Sequence, residues 1–368
     1  MQFRTFFLLL IFSVGFSINF YAQNKPGEDE VLRIETQLVD VPVFVTDKTG
    51  KPLLNLKQSN FVVYEDGKRQ EISDFSAVGA PFEVALLLDT SGSTRSDLQL
   101  IQRAAESFIA SLRPGDRVSI IAYRSDRVGN RSVASSEVLT ALTDNRSRLK
   151  AVLAEVRTSN GTPYYDSLLQ VVEKVFRETP KEEFRGRRAL VALTDGVDST
   201  SAGGFGEVRE KFVEAGIVSY FIQVDTREFF EEHLLGDCES AMRFSQAQIR
   251  RYYRTFYPRA NIEKASGFCQ LGDFERLDIS KQLYRLADAE MQLLAKISGG
   301  RVFPLVDLSE ARVAFKKVAD EIGTKYSLGY YPSNEKRDGT YRQIKIELKG
   351  VPAGALIRAR EGYAAPTN

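Results

Sequence analysis

Between residues 82 and 323 short apolar runs alternate with amphipathic ones, and this rhythm constrains the fold more than any other feature. EVALLLD (83–89), DRVSIIAY (116–123), RRALVALTD (187–195) and IVSYFIQVD (217–225) are rich in apolar residues along nearly their whole length. A strand that is apolar on both sides has to be covered on both sides. The stretches 98–112, 146–156, 165–178 and 206–216 show helical spacing instead. Two further helices are expected over 281–300 and 308–323, separated by the short strand RVFPL. Strands in alternation with helices imply an α/β fold with a doubly wound, mainly parallel sheet.

The flanks have a different character. LRIETQLVDVPVFVTD is rich in β-branched residues and ends in a turn signal at Asp47-Lys48-Thr49-Gly50. FVVYEDGKRQEISDF holds Asp66-Gly67 between two strand-like runs, a hairpin cue. After the last helix, YSLGYYP (326–332), TYRQIKIEL (340–348) and ALIRAREGY (355–363) read as strands. Neither flank has enough strands to close a core alone. The expectation is one discontinuous β-sandwich from 31–80 plus 325–364, with the α/β domain of 82–323 inserted in it.

The N-terminus bears on the compartment. Arg4 precedes an apolar run over 6–16, long enough for a signal-peptide core and too short to cross a bilayer. Residues 1–23 are expected to be a signal peptide, cut within 17–23, leaving an exported, periplasmic or secreted protein with no membrane span. In an oxidising compartment the two cysteines, Cys238 and Cys269, are expected to pair. Lys plus Arg number 50 against 49 Asp plus Glu, which argues against a nucleic-acid partner. A single His, His233, excludes His-rich metal centres.

In an open α/β sheet, ligands bind beyond the carboxyl ends of the strands. Three loops stand at such ends or beside them: Asp89-Thr90-Ser91-Gly92-Ser93 and Thr194-Asp195-Gly196 directly after strands, and Ser159-Asn160-Gly161-Thr162-Pro163 just before a helix. Their oxygens suit a hard divalent cation, Mg2+ first, with Mn2+ or Ca2+ as alternatives. Asp89 and Asp195 together offer a charge that balances the ion. Ser91, Ser93 and Thr162 add neutral hydroxyls, so the ion would stay electrophilic. Each loop alone would read as a helix cap. Asp166 and Asp198 read as supporting residues rather than ligands.

Taken together, Asp89-x-Ser91-x-Ser93, Gly161-Thr162 and Thr194-Asp195-Gly196 resemble the metal-ion-dependent adhesion site of a von Willebrand factor type A domain. The resemblance covers about 82–323. It implies that Ser91, Ser93 and Thr162 would ligate the metal through hydroxyls, and that Asp89 and Asp195 would act directly or through water. The flanks VPVFVTDKTGKPLLNLKQSNFVVYEDGKRQEISDF and IRAREGYAA resemble bacterial exported proteins of the "VWFA-related" group. The function so implied is metal-dependent protein binding, in which the ion takes an Asp or Glu carboxylate of a partner. The alternatives are an envelope assembly or chaperone-like scaffold and, in third place, a metal-dependent hydrolase. The hydrolase lacks an identifiable base, because His233 sits in EEHLL without a second His.

One segment does not fit the repeat. Residues 226–282 exceed any ordinary strand-to-helix connection and contain both cysteines. They follow a strand that ends on the loop face, so an insertion near the metal is expected. Phe244, Ile249, Tyr253 and Phe256 suggest one amphipathic helix within it.

Overall fold

The computed structural model describes residues 38–92, 97–129, 131–259 and 267–367. The expected signal segment 1–23 and the candidate ligand Ser93 lie outside the described residues. Among the described residues no helix is long and apolar enough to cross a membrane.

The N-terminal flank forms β1 (Val39–Thr46), β2 (Phe61–Glu65), β3 (Lys68–Gln70) and β4 (Ile72–Ser76). The turn between β2 and β3 places Asp66 at φ 48° and Gly67 at φ 81°, the left-handed pair that a two-residue hairpin requires. The α/β part then opens with β5 (Glu83–Leu88) and α1 (Leu98–Ser111). A long hairpin follows, β6 (Arg117–Val128) and β7 (Arg131–Thr143). Next come α2 (Arg146–Glu155), α3 (Tyr164–Gln170), β8 (Arg188–Thr194), α4 (Phe205–Ala215) and β9 (Val218–Val224). The insertion contributes α5 (Arg227–Glu232) and α6 (Gln246–Phe256) and runs into α7 (Asp273–Ser298). The order closes with β10 (Arg301–Leu305), α8 (Ala311–Ile322), β11 (Tyr326–Tyr330), β12 (Tyr341–Leu348), β13 (Leu356–Ala359) and β14 (Gly362–Ala364).

The central sheet runs β10-β9-β8-β5-β6-β7. All its pairings are parallel except that of β7 with β6. Successive side chains of a strand point to opposite faces, so β5 supplies two cores at once. Val84, Leu86 and Leu88 pack with Phe108 of α1 and Phe315 of α8. Ala85 and Leu87 pack with Leu168 of α3, Phe212 of α4 and Met291 of α7. The sheet is therefore doubly wound. Pro304 is tolerated because β10 is an edge strand.

The flanks make two further sheets, β13-β1-β11-β4 and β14-β12-β2-β3, each drawing strands from both ends of the chain. Val41 and Val43 of β1 face Val63 of β2, Leu328 of β11 and Ile344 of β12 in one shared core. The α/β unit is thus inserted in a β-sandwich.

Three expectations need correction. Residues 131–143, where the sequence pattern predicts no element, form β7, an edge strand whose half-exposed positions mix apolar and polar residues. The helix expected over 281–300 begins at Asp273, because its first turns are packed by the insertion. The strand expected over 355–363 is two strands in different sheets, broken at Arg360-Glu361.

The two parts meet at the end of α7. Gly299 caps that helix at φ 76°, and a Cβ there would sit 2.6 Å from the Ala359 carbonyl carbon and 2.7 Å from the Arg360 nitrogen. Lys325, fully buried, donates to the Gly299 carbonyl at 2.9 Å. Gly299→Ala is expected to cost about 2–4 kcal/mol, combining left-handed strain with overpacking. Gly206, an exposed residue of α4 with open space around it, should instead gain about 0.5–1 kcal/mol as Ala. Urea unfolding of both variants checks the contrast.

Candidate metal site

β5 and β8 are neighbours in parallel register, with Leu88 opposite Leu193. That pairing brings the ends of both strands, and the acids that follow them, to one place. The Asp89 amide donates to the Leu193 carbonyl at 2.9 Å. Thr194 Oγ1 donates to Asp89 Oδ2 at 2.8 Å, and the Ser91 amide to Asp89 Oδ1 at 3.0 Å. Asp195 Oδ1 accepts from the Val197 amide at 2.9 Å, and Oδ2 from Thr226 Oγ1 at 2.5 Å.

The third loop is tied to both others. The Ser159 amide donates to the Thr90 carbonyl at 2.7 Å. The Thr162 amide donates to Ser199 Oγ at 2.8 Å, and the Ser199 amide returns a bond to the Thr162 carbonyl at 2.9 Å. Gly161 is required where it stands. A Cβ there would meet Thr200 Cγ2 at 2.8 Å and Ala134 Cβ at 3.0 Å. Asp198 accepts from the Tyr164 amide at 2.9 Å at the start of α3, and Asp166 accepts from the Gly203 amide at 2.9 Å. Both brace loops. Asp89, Ser91, Thr162 and Asp195 are respectively 2%, 4%, 8% and 9% exposed, so two carboxylates stand side by side largely out of water.

The sequence matches the model of the von Willebrand factor type A domain family over residues 84–197, a span that begins on β5 and ends just past Asp195. The chain contains a von Willebrand factor type A domain. Among solved structures, the chain is similar to a von Willebrand factor type A protein from Catenulispora acidiphila, at 10% identity, covering 91% of this chain and 75% of that one, with a TM-score of 0.43. It is also similar to proximal thread matrix protein 1 from the mussel byssus, at 13% identity and a TM-score of 0.40, covering 66% of this chain. The chain spans about half the length of that byssus protein, 48%. No curated protein matches.

The donor set of this von Willebrand factor A domain suits one kind of ion. Among the described residues there is no group of three or more His, Cys, Asp or Glu side chains that could hold a metal. A cation at these loops would therefore need hydroxyl or water oxygens beside the two carboxylates, which is the preference of a hard dication. Tyr123 adds to the fit. Its hydroxyl is buried without a protein hydrogen-bond partner, and the charges of Asp89, Asp195 and Asp198 act on it. Water bound to an ion donates readily to such an oxygen.

The electrostatics of the domain point the same way. Burial pushes the Asp89 carboxyl above its usual range, against hydrogen bonds from Ser91 and Thr194 that pull it down. Burial, followed by the charge of Asp89, pushes Asp195 up to about 7, although the Thr226 hydroxyl opposes the rise. Two acids that resist ionising together are relieved by a cation between them.

Sequence reasoning missed the hairpin that walls this domain's site. Ser125 Oγ of β6 accepts from the Asn160 amide at 2.8 Å, and Ser132 Oγ of β7 accepts from Asn160 Nδ2 at 3.1 Å. A local cue was the Gly-Asn pair at 129–130 in the sequence. The insertion reaches the site as well. Cys238 and Cys269 are disulfide-bonded, with Cα atoms 5.2 Å apart. Arg251 of α6 pairs with Glu290 of α7 at 2.8 Å, and Glu290 accepts from the Tyr165 hydroxyl at 2.7 Å. Of the four residues expected on one helix face, Ile249 is buried on α6, Tyr253 is partly buried and Phe256 is exposed; Phe244 is buried but precedes the helix, and Tyr252 takes the inward position instead.

The shift of Asp195 sets a pH dependence. Its pKa is raised on folding, from 3.8 to about 7. Between those values the unfolded chain has released the proton and the folded chain retains it, so stability falls as pH rises and levels off above 7. Wild type in EDTA should lose stability from pH 5 to 7.5 relative to Asp195→Asn. Denaturant midpoints of the two proteins at both pH values check this.

Proposed function

We propose that this protein is an exported, metal-dependent protein-binding module. Asp89, Ser91, Ser93, Thr162 and Asp195 would hold Mg2+, with Mn2+ or Ca2+ as substitutes. When bound, the ion would supply an electrophilic coordination position for a carboxylate oxygen from an Asp or Glu of a partner protein. The observation that carries the reading is the burial of Asp89 and Asp195 together, among hydroxyl residues, at the ends of adjacent parallel strands.

The roles of the chain's own groups follow from their bonds. Thr194 and the Ser91 amide orient Asp89. The Val197 amide and Thr226 orient Asp195. Ser91 and Thr162 supply uncharged oxygens, so the two acids neutralise the ion without saturating it. The bonds between loops hold these groups before any partner arrives, which reduces the ordering cost of binding. The partner group is an acid because the remaining position is electrophilic.

Reading residues 1–23 as a signal peptide puts this module outside the cytoplasm. The Cys238–Cys269 bridge supports that placement, since stable disulfides belong to oxidising compartments. A hydrolytic reading finds no support at His233, which ends α5 with its Nδ1 2.8 Å from the Phe229 carbonyl.

Calorimetry with Mg2+ and Mn2+ tests the reading. Wild type is expected to bind one ion, and Asp89→Ala to bind at least about tenfold more weakly, the loss typical of disturbing a metal site. Acidic partners from envelope extracts should be captured by wild type, and lost with EDTA or with Asp89→Ala. Absence of metal binding by wild type would overturn the proposal.

A further inference from the structure

The insertion leaves the domain and returns to it at one point. Thr226, its first residue, is 7% exposed and donates to Asp195 Oδ2 at 2.5 Å. Tyr284, on α7 where the insertion rejoins the domain, has its hydroxyl 2.8 Å from Thr226 Oγ1. A threonine hydroxyl has one proton. Thr226 gives it to the carboxylate, so the Tyr284 hydroxyl donates to Thr226. The two ends of the insertion thus form a chain of hydroxyls that terminates on Asp195.

What hangs from this neck is a body with its own core. Leu234, Phe244, Ile249, Tyr252, Phe268, Leu271, Ile279 and Leu283 form one buried cluster. The Cys238–Cys269 bridge closes it. Arg276 fastens it further, donating to the Gly236 carbonyl at 3.0 Å and the Leu271 carbonyl at 3.1 Å with its guanidinium over the Phe268 ring. The Arg251–Glu290–Tyr165 link gives this body a second hold on α3, just past Thr162.

We infer that Thr226 and Tyr284 are positioning residues for the metal site, through which the disulfide-closed insertion sets the affinity for the cation. The inference rests on the metal reading of Asp195. Thr226 holds one carboxylate oxygen by a charge-assisted bond and so fixes the direction of the other lone pairs. Supporting bonds of this kind commonly govern metal affinity about 10–100-fold. The linkage is reciprocal: if the state of the insertion alters cation affinity, the cation alters the insertion by the same free energy.

The test uses the full chain, with Mn2+ followed by electron paramagnetic resonance and Mg2+ by calorimetry. Thr226→Val is expected to weaken binding about tenfold, Thr226→Ser to stay within about threefold of wild type, and Tyr284→Phe to fall between them. Hydrogen exchange supplies a readout that simple destabilisation would not move. Saturating Mg2+ should slow exchange across 227–256 and 267–283 in wild type and leave it unchanged in Thr226→Val. Should Thr226→Val misfold, Tyr284→Phe, which removes one oxygen atom, decides alone. Wild-type binding with both variants within about twofold of it would overturn the inference and leave the proposed function standing. Equal protection of the insertion by Mg2+ in wild type and variant would overturn it too. Wild type that binds no metal would remove the proposed function itself.

Discussion

Two like charges held together out of water are the constraint around which this domain is arranged. Asp89 and Asp195 follow adjacent strands of one parallel sheet, and the register of those strands brings them to the same end of it. Burial disfavours both charges, and the charge of Asp89 further disfavours that of Asp195. The surrounding protein answers with donors: Thr194 and the Ser91 amide on one acid, Thr226 and the Val197 amide on the other. Those donors lower the penalty without removing it. In the proposed function the remainder becomes affinity for a dication.

The same pair explains why so much of the chain converges on this end of the sheet. The β6–β7 hairpin holds Asn160, the loop after β8 holds Thr162, and the insertion reaches Asp195 and Tyr165. α7 spans the whole arrangement. Its first turns pack the insertion, Tyr284 and Glu290 face the site, and Gly299 at its end meets the strand segment Ala359-Arg360 of the sandwich. One continuous helix therefore links the insertion, the site and, at its end, the sandwich. The sandwich, built from both ends of the chain, clasps the inserted domain where that helix stops.

Legibility in the sequence followed locality. Asp89, Ser91, Thr162 and Asp195 could be singled out because each lies in a short loop beside a recognisable strand or helix, where chemistry and position are encoded within a few residues. Thr226 and Tyr284 could not, because nothing nearby says that a threonine after β9 and a tyrosine 58 residues on share a carboxylate. β7 escaped because an edge strand with one half-solvated face has neither a continuous apolar run nor a strict alternation. The extra turns at the start of α7 escaped because their partners lie in the insertion.

Local patterning by itself determined the class of the fold, the insertion of the α/β domain between two β-flanks, the three oxygen-bearing loops and the two cysteines. These depend on periods of two and 3.6 residues and on turn chemistry, which act over short stretches of chain. Tertiary structure alone decided how deeply two acids 106 positions apart would be buried, that the tail would divide between two sheets, and that the insertion would close on Asp195. Those outcomes depend on strand order and register, and no local pattern encodes which strands become neighbours.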